Sequence, residues 1–103
     1  MARPIKLTKE QFADLGEGSG YSGWYYTLDL GTVLYRVRRY QDSADEASFM
    51  SFRRRDATAD QEFDRVPSDP DFQRAARHLW ENLSISRLKV LTSSGYQNVP
   101  IRA

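Results

Sequence analysis

The chain has 103 residues and a formal net charge of +1, a length that fits one domain and leaves too little chain for two comfortable cores. It has no cysteine and one histidine, which excludes disulfides, thiolate metal sites, cysteine nucleophiles and multi-histidine metal sites. Hydrophobic residues make up 40% and charged residues 28% of the sequence, which is typical of a folded soluble chain. We therefore predict a single domain over residues 1–103 that holds no metal and no cofactor.

The N-terminal segment, residues 7–16, carries the signals of a short helix. Thr8 and Gln11 fit a capping box, in which each side chain bonds a backbone amide at the start of a helix. Phe12 fits the hydrophobic staple of the same end, and Gly16 fits a left-handed stop. The segment is therefore predicted to be the first helix of the fold.

The next segment, Gly18 to Gly23, matches the spacing G-x-G-x-x-G. In a dinucleotide site this motif follows a strand and opens a helix, so that the helix N-terminus meets the pyrophosphate. Here the motif follows a predicted helix and opens a predicted strand. We therefore interpret it as a flexible loop and not as a nucleotide site.

Three strands are predicted in the middle of the chain, where aromatic and β-branched residues are frequent. The first two cover residues 24–30 and 32–40, and the tight connection at residues 29–31 predicts a hairpin. The third covers residues 47–55. All three strands are expected to pair antiparallel in one sheet.

Residues 56–71 hold six acidic side chains and one arginine, whereas residues 36–55 hold six arginines and three acidic side chains. The acidic run lacks the spacing and central glycine of a calcium loop, so we predict a solvated loop or an internal partner for the arginines. A loop of this length needs an anchor in the core, and Phe63 or Val66 is expected to supply it.

A second helix is predicted to begin at Ser68 to Asp71, because Ser68 followed by Asp71 three residues later is a capping signature and Pro70 is well tolerated in the first turn. The apolar residues that follow recur at helical spacing and define the buried stripe: Phe72, Ala75, Ala76, Leu79 and Leu83. Two strands follow at residues 85–92 and 96–101, and Pro100 predicts that the last one lies at a sheet edge. The predicted fold is α+β, an antiparallel sheet of four to five strands with two helices on one face, in the order α-β-β-β-α-β-β.

The outward positions of the predicted strands alternate arginine with tyrosine or phenylalanine. If the other positions point to the core, one open sheet face collects the residues that we predict to bind a partner: Tyr25, Arg36, Arg38, Tyr40, Phe49, Arg53 and Arg55. Arginine and aromatic residues dominate the hot spots of protein interfaces, and they also bind single-stranded nucleic acid. A shift of one residue in strand register exchanges the two faces.

These residues predict a small non-enzymatic protein-binding domain of the inhibitor, immunity, phage-encoded antagonist or complex-subunit type. The partner is a macromolecule, and we favour a protein over a nucleic acid. A single-stranded RNA- or DNA-binding domain that uses the same face is the alternative, and a small enzyme with a carboxylate site is a second one. The chain contains no apolar run long enough for a signal peptide or a membrane span, so we expect no membrane contact and a cytoplasmic location.

Overall fold

A computed structural model describes residues 4–13 and 22–100. The glycine motif at Gly18–Gly23 lies outside the described residues except for Ser22 and Gly23, and the predicted stop at Gly16 lies outside them entirely. The described part contains six strands, one α-helix and a single 3₁₀ turn at Gln41–Ser43. The elements are β1 (Lys6–Ala13), β2 (Ser22–Asp29), β3 (Val33–Tyr40), β4 (Glu46–Arg54), α1 (Pro70–Leu83), β5 (Arg87–Thr92) and β6 (Gly95–Val99).

The predicted first helix is wrong, because the segment forms β1 instead. Leu7 of β1 and Ile5 just before the strand pack against the core, while the Phe12 side chain lies on the other side of the sheet. All eight residues of β1 have partners on β2, and Leu7 lies opposite Leu28. This long-range pairing outweighs the local helix-capping signals, because capping alone stabilises a short helix only weakly when the helix has no tertiary packing.

The six strands form one sheet in the order β1-β2-β3-β4-β5-β6. The sheet is mixed: β4 and β5 run parallel and the other neighbouring pairs run antiparallel. The prediction of an all-antiparallel sheet with two helices is therefore wrong. The chain between β4 and β5 contains α1, and a connection of that length allows two adjacent strands to run in the same direction. The strand β6 lies at the edge, as predicted, but it ends at Val99 and leaves out Pro100, which the predicted range 96–101 included.

The helix α1 begins and ends close to where the sequence predicts. Its N-cap is Asp69, whose Oδ1 accepts a hydrogen bond from the backbone amide of Phe72 at 2.9 Å, and Pro70 occupies the first turn. Ser84 ends the helix in the left-handed conformation at φ 56°. The predicted stripe is confirmed, since its first four residues are buried: Phe72, Ala75, Ala76 and Leu79.

The helix covers one side of the sheet, which we call the inner face. Phe72 joins the two layers: its ring centroid lies 4.5 Å from that of Phe49 and 5.6 Å from that of Tyr35. Phe63 is 2% exposed and holds the long acidic loop against this core, as predicted. No helix in the described part of the chain is long and apolar enough to cross a membrane.

A β-bulge changes the face on which part of β4 presents its side chains. The pairing of β3 with β4 shifts between Arg36 and Val37, so Met50 is the extra residue of β4. Phe49 then points to the inner face and is 0% exposed. The prediction that Phe49 lies on the open face is wrong, because a strict period of two cannot anticipate an inserted residue.

Candidate functional site

The side of the sheet opposite α1, which we call the outer face, is covered by no element of the described residues. Four of the predicted partner-binding residues lie there together on β2 and β3: Tyr25, Arg36, Arg38 and Tyr40. Phe12 of β1 and Tyr96 of β6 contact members of this group. We call these six residues the aromatic–arginine patch.

Gly23 brings two rings of the patch together. It lies opposite Phe12 on β1 and opposite Tyr40 on β3, so it presents no side chain between them. The ring centroids of Phe12 and Tyr40 lie 5.9 Å apart with an edge-to-face angle of 78°, and Phe12 is also 4.8 Å from the ring of Tyr25. The three rings form a half-buried cluster, and aromatic pairs of this geometry are attractive.

Two guanidinium groups lie over this cluster. The Cζ atom of Arg36 is 4.5 Å from the centroid of Tyr25, and that of Arg38 is 4.9 Å from the centroid of Tyr40. Arg38 Nη2 also donates a hydrogen bond to the Tyr96 hydroxyl at 2.6 Å. These contacts hold two long side chains flat on the sheet and reduce the entropy that a partner would have to remove on binding.

Beside the patch lies a shallow depression of about 210 Å³ on the same face. Its lining includes Arg38, Tyr40, Glu46, Lys89 and Tyr96. Arg38 forms no ion pair with a carboxylate among the described residues, and its buried Nε has no hydrogen-bond partner there. The depression therefore places a guanidinium that has no carboxylate partner among the described residues next to two tyrosines.

The neighbouring cations of the outer face are paired with the chain's own carboxylates. Arg36 Nη2 lies 3.9 Å from Glu10, and Lys89 Nζ lies 3.4 Å from Glu46. Arg87 donates two hydrogen bonds to Asp45 at 3.0 and 3.1 Å and pairs with Glu46 at 3.2 Å. The contact with Arg87 lowers the pKa of Asp45 below its usual value and keeps this carboxylate charged.

Two other predicted binding residues do not join the patch. Arg53 lies near the opposite end of β4, where its Nε is 3.7 Å from Asp60 and its Nη1 donates to Ala57 O. Arg55 follows the end of β4 and binds Asp29 and the carbonyl of Gly31, which closes the turn of the β2–β3 hairpin. The hydrogen bond from Arg55 is the main cause that lowers the pKa of Asp29. Both arginines therefore contact neighbouring loop and turn residues and lie apart from the aromatic–arginine patch.

Two residues of the patch were not predicted from the sequence. Phe12 was assigned to a helix, although Gly23 on a strand is a signal for close packing of neighbouring side chains across it. Tyr96 is 50% exposed on the edge strand and joins the patch only because the parallel β4–β5 pair brings β6 to this side. Neither contact follows from local sequence spacing.

Arg39 has a different role from Arg36 and Arg38 because it points to the inner face. Its Nη1 donates to the Tyr26 hydroxyl at 3.1 Å, its Nη2 to the carbonyl of Leu83 at 3.3 Å and its Nε to the carbonyl of Ala44. It therefore ties the C-terminal end of α1 to the sheet. The arginines of β3 thus divide between the outer face, with Arg36 and Arg38, and the inner face, with Arg39.

The described residues contain no cluster of three or more His, Cys, Asp or Glu side chains that could hold a metal ion. The single histidine, His78, lies on α1, away from the outer face, and its Nδ1 is 3.2 Å from Asn82 Nδ2. Comparisons with protein-family models, with curated proteins and with solved structures find no match to this chain.

Proposed function

We propose that this chain is a non-enzymatic protein-binding domain whose aromatic–arginine patch contacts a surface that presents carboxylates beside apolar side chains. The observation that carries the proposal is Arg38, which lies on the uncovered face without a carboxylate partner among the described residues. A carboxylate of a partner protein would supply the missing counter-charge. Arginine and tyrosine are enriched at the centres of protein interfaces, and their side chains here are already ordered by mutual contacts.

Two features favour a protein over the alternative, single-stranded RNA or DNA. Stacking on bases needs free ring faces, whereas guanidinium groups lie over Tyr25 and Tyr40. Affinity for nucleic acid depends on unneutralised cations, whereas Arg36, Arg87 and Lys89 already have carboxylate partners. An interface with a partly apolar centre and paired charges around it fits a protein better.

The test is photo-cross-linking from a position next to the patch on the outer face. Thr27 lies between Thr8 and Arg36 in the sheet and is replaced by benzoylphenylalanine; the control carries the same substitution at the exposed Glu81 on α1. We expect a discrete adduct in a lysate of the source cells from position 27 alone, resistant to nuclease and removed by protease. A nuclease-sensitive adduct supports the nucleic-acid alternative, and no adduct or identical adducts from both positions overturn the proposal.

A further inference from the structure

A second cavity, of about 780 Å³, lies on the inner side of the molecule where α1 begins. It opens between the ends of β3 and β4, the acidic loop and the first turn of the helix. Its lining includes Tyr35, Phe52, Phe63, Glu62 and Asp64. Its volume is within the range of small-molecule sites.

The floor of this cavity is aromatic. Tyr35 and Phe63 are 4% and 2% exposed, and their rings stack with an interplanar angle of 14°. Phe52 is half-buried, and its ring lies 5.0 Å from that of Phe63. Such a floor, with Phe52 its most exposed ring, attracts apolar groups.

The lining of the cavity includes one tyrosine, Tyr35, whose side chain ends in a hydroxyl. Tyr35 is 4% exposed, and its hydroxyl has no hydrogen bond to any residue that the structure describes, so it is open to a molecule in the cavity. Burial and the nearby carboxylates of Asp69 and Asp71 raise the pKa of Tyr35, so its hydroxyl stays neutral and keeps lone pairs that can accept a hydrogen bond.

The rim of the cavity is negative. Four carboxylates line it against two guanidiniums, those of Arg54 and Arg65. Asp69 caps α1, and Asp71 contacts Thr32 and Arg74, but within the described chain the exposed Glu62 and Asp64 have no hydrogen bond or ion pair. The two acidic side chains of the loop are therefore available to a ligand.

From these observations we infer that the cavity binds a primary ammonium carried on an apolar stem. The stem packs on the aromatic floor, the ammonium donates a hydrogen bond to the Tyr35 hydroxyl, and the carboxylates of Glu62 and Asp64 provide the counter-charge. Such a group occurs in free arylalkylamines and in lysine side chains. The site lies on the other side of the sheet from the aromatic–arginine patch and does not depend on its function.

The experiment is a titration of the full ¹⁵N-labelled chain, followed by amide chemical shifts. The probes are phenethylamine, its anionic counterpart 3-phenylpropionate, and Nα-acetyl-lysine amide, which carries the ammonium of a lysine side chain. With phenethylamine we expect saturable changes in the amide chemical shifts of residues 52–72. We expect 3-phenylpropionate to bind at least about tenfold more weakly. Saturation by the lysine derivative instead of phenethylamine identifies a protein side chain as the source of the ammonium.

Tyr35→Phe removes the hydroxyl and keeps the ring. It should weaken binding of the amine by about tenfold, since a hydrogen bond to a charged group is lost, while Tyr96→Phe on the outer face leaves it unchanged. Glu62→Gln combined with Asp64→Asn is expected to weaken the binding of phenethylamine and to leave the binding of 3-phenylpropionate unchanged. The inference is overturned if neither amine saturates, if the carboxylate binds equally well, or if a folded Tyr35→Phe chain binds the amine with full affinity.

Discussion

The rings of Phe12 and Tyr40 meet edge to face across β2, with their centroids 5.9 Å apart, although two strand spacings separate their backbones. The contact exists because Gly23 lies between them in the register. It links the edge strand β1 to β3 and completes the aromatic part of the proposed binding patch. One glycine therefore serves both the packing of the sheet and the shape of its outer face.

Gly23→Ala tests this arrangement. A Cβ atom at position 23 would lie 2.0 Å from the carbonyl oxygen of Arg39 and 2.9 Å from Tyr40 Cα, and both of these are backbone atoms. We expect a loss of about 3 kcal/mol in the free energy of unfolding, measured by urea denaturation. Gly95→Ala is the control: its Cβ meets open space, so only the cost of its positive φ, about 1–2 kcal/mol, is expected. Equal losses would contradict the close approach at Gly23.

Leu79→Ala tests the contact between α1 and the sheet. Leu79 is 0% exposed in the core stripe of the helix, so the substitution should cost about 2–5 kcal/mol through lost burial and the remaining cavity. The adjacent Trp80 is 45% exposed, and Trp80→Ala should change the free energy of unfolding by about 0.5 kcal/mol or less. A urea melt that ranks the two variants in the opposite order would show that the helix faces the sheet with another side.

Asp29→Asn tests the ion pair at the hairpin turn. The hydrogen bond from Arg55 lowers the pKa of Asp29 from 3.8, so the pair stabilises the fold above this value and loses its effect as the pH falls through the folded pKa. The amide oxygen of the introduced asparagine still accepts the backbone N–H of Gly31, which isolates the effect of the charge. The melting temperature of the variant should lie below that of the wild type at pH 7, by an amount equivalent to about 1 kcal/mol or less, and the two should converge below pH 3.8.

Arg55→Gln should show the same pH dependence, and the double variant should lose no more than Arg55→Gln alone, which also removes the hydrogen bond to the carbonyl of Gly31. A difference between wild type and Asp29→Asn that stays constant from pH 7 to pH 3 would rule out the charge of Asp29 as its cause.

The helix α1 could be predicted because its signals are local. The helix start at residues 68–71 and the apolar stripe from Phe72 to Leu79 both lie within one chain segment, although the cap is Asp69 and not the predicted Ser68. The identity of β1 could not, since Thr8 and Gln11 carry equally local helix signals and the strand forms only through its pairing with β2. Local propensity is a weak guide where a long-range pairing is available.

The candidate site could be predicted in part for the same reason. The alternation of Arg36, Arg38 and Tyr40 along one regular strand placed them correctly on one face, together with Tyr25 of the hairpin partner. Phe49 was misplaced because a bulge inserts one residue into β4 and reverses the alternation beyond it. A bulge is set by how two strands fit together and leaves no periodic signal in either strand.

The central claim is that the aromatic–arginine patch binds a protein, and the affinity of one pair of variants tests it most directly. The ligand is the protein cross-linked from position 27, and its dissociation constant is measured by calorimetry with the wild type and with each variant. Arg36→Ala combined with Arg38→Ala removes both stacked guanidiniums, whereas Arg54→Ala combined with Arg65→Ala removes the same charge from the inner side. We expect the first pair to remain folded and to weaken binding by about 30-fold, equivalent to about 2 kcal/mol, and the control pair to bind like the wild type. Full affinity in a folded Arg36→Ala, Arg38→Ala chain, or an equal loss in the control, would contradict the account.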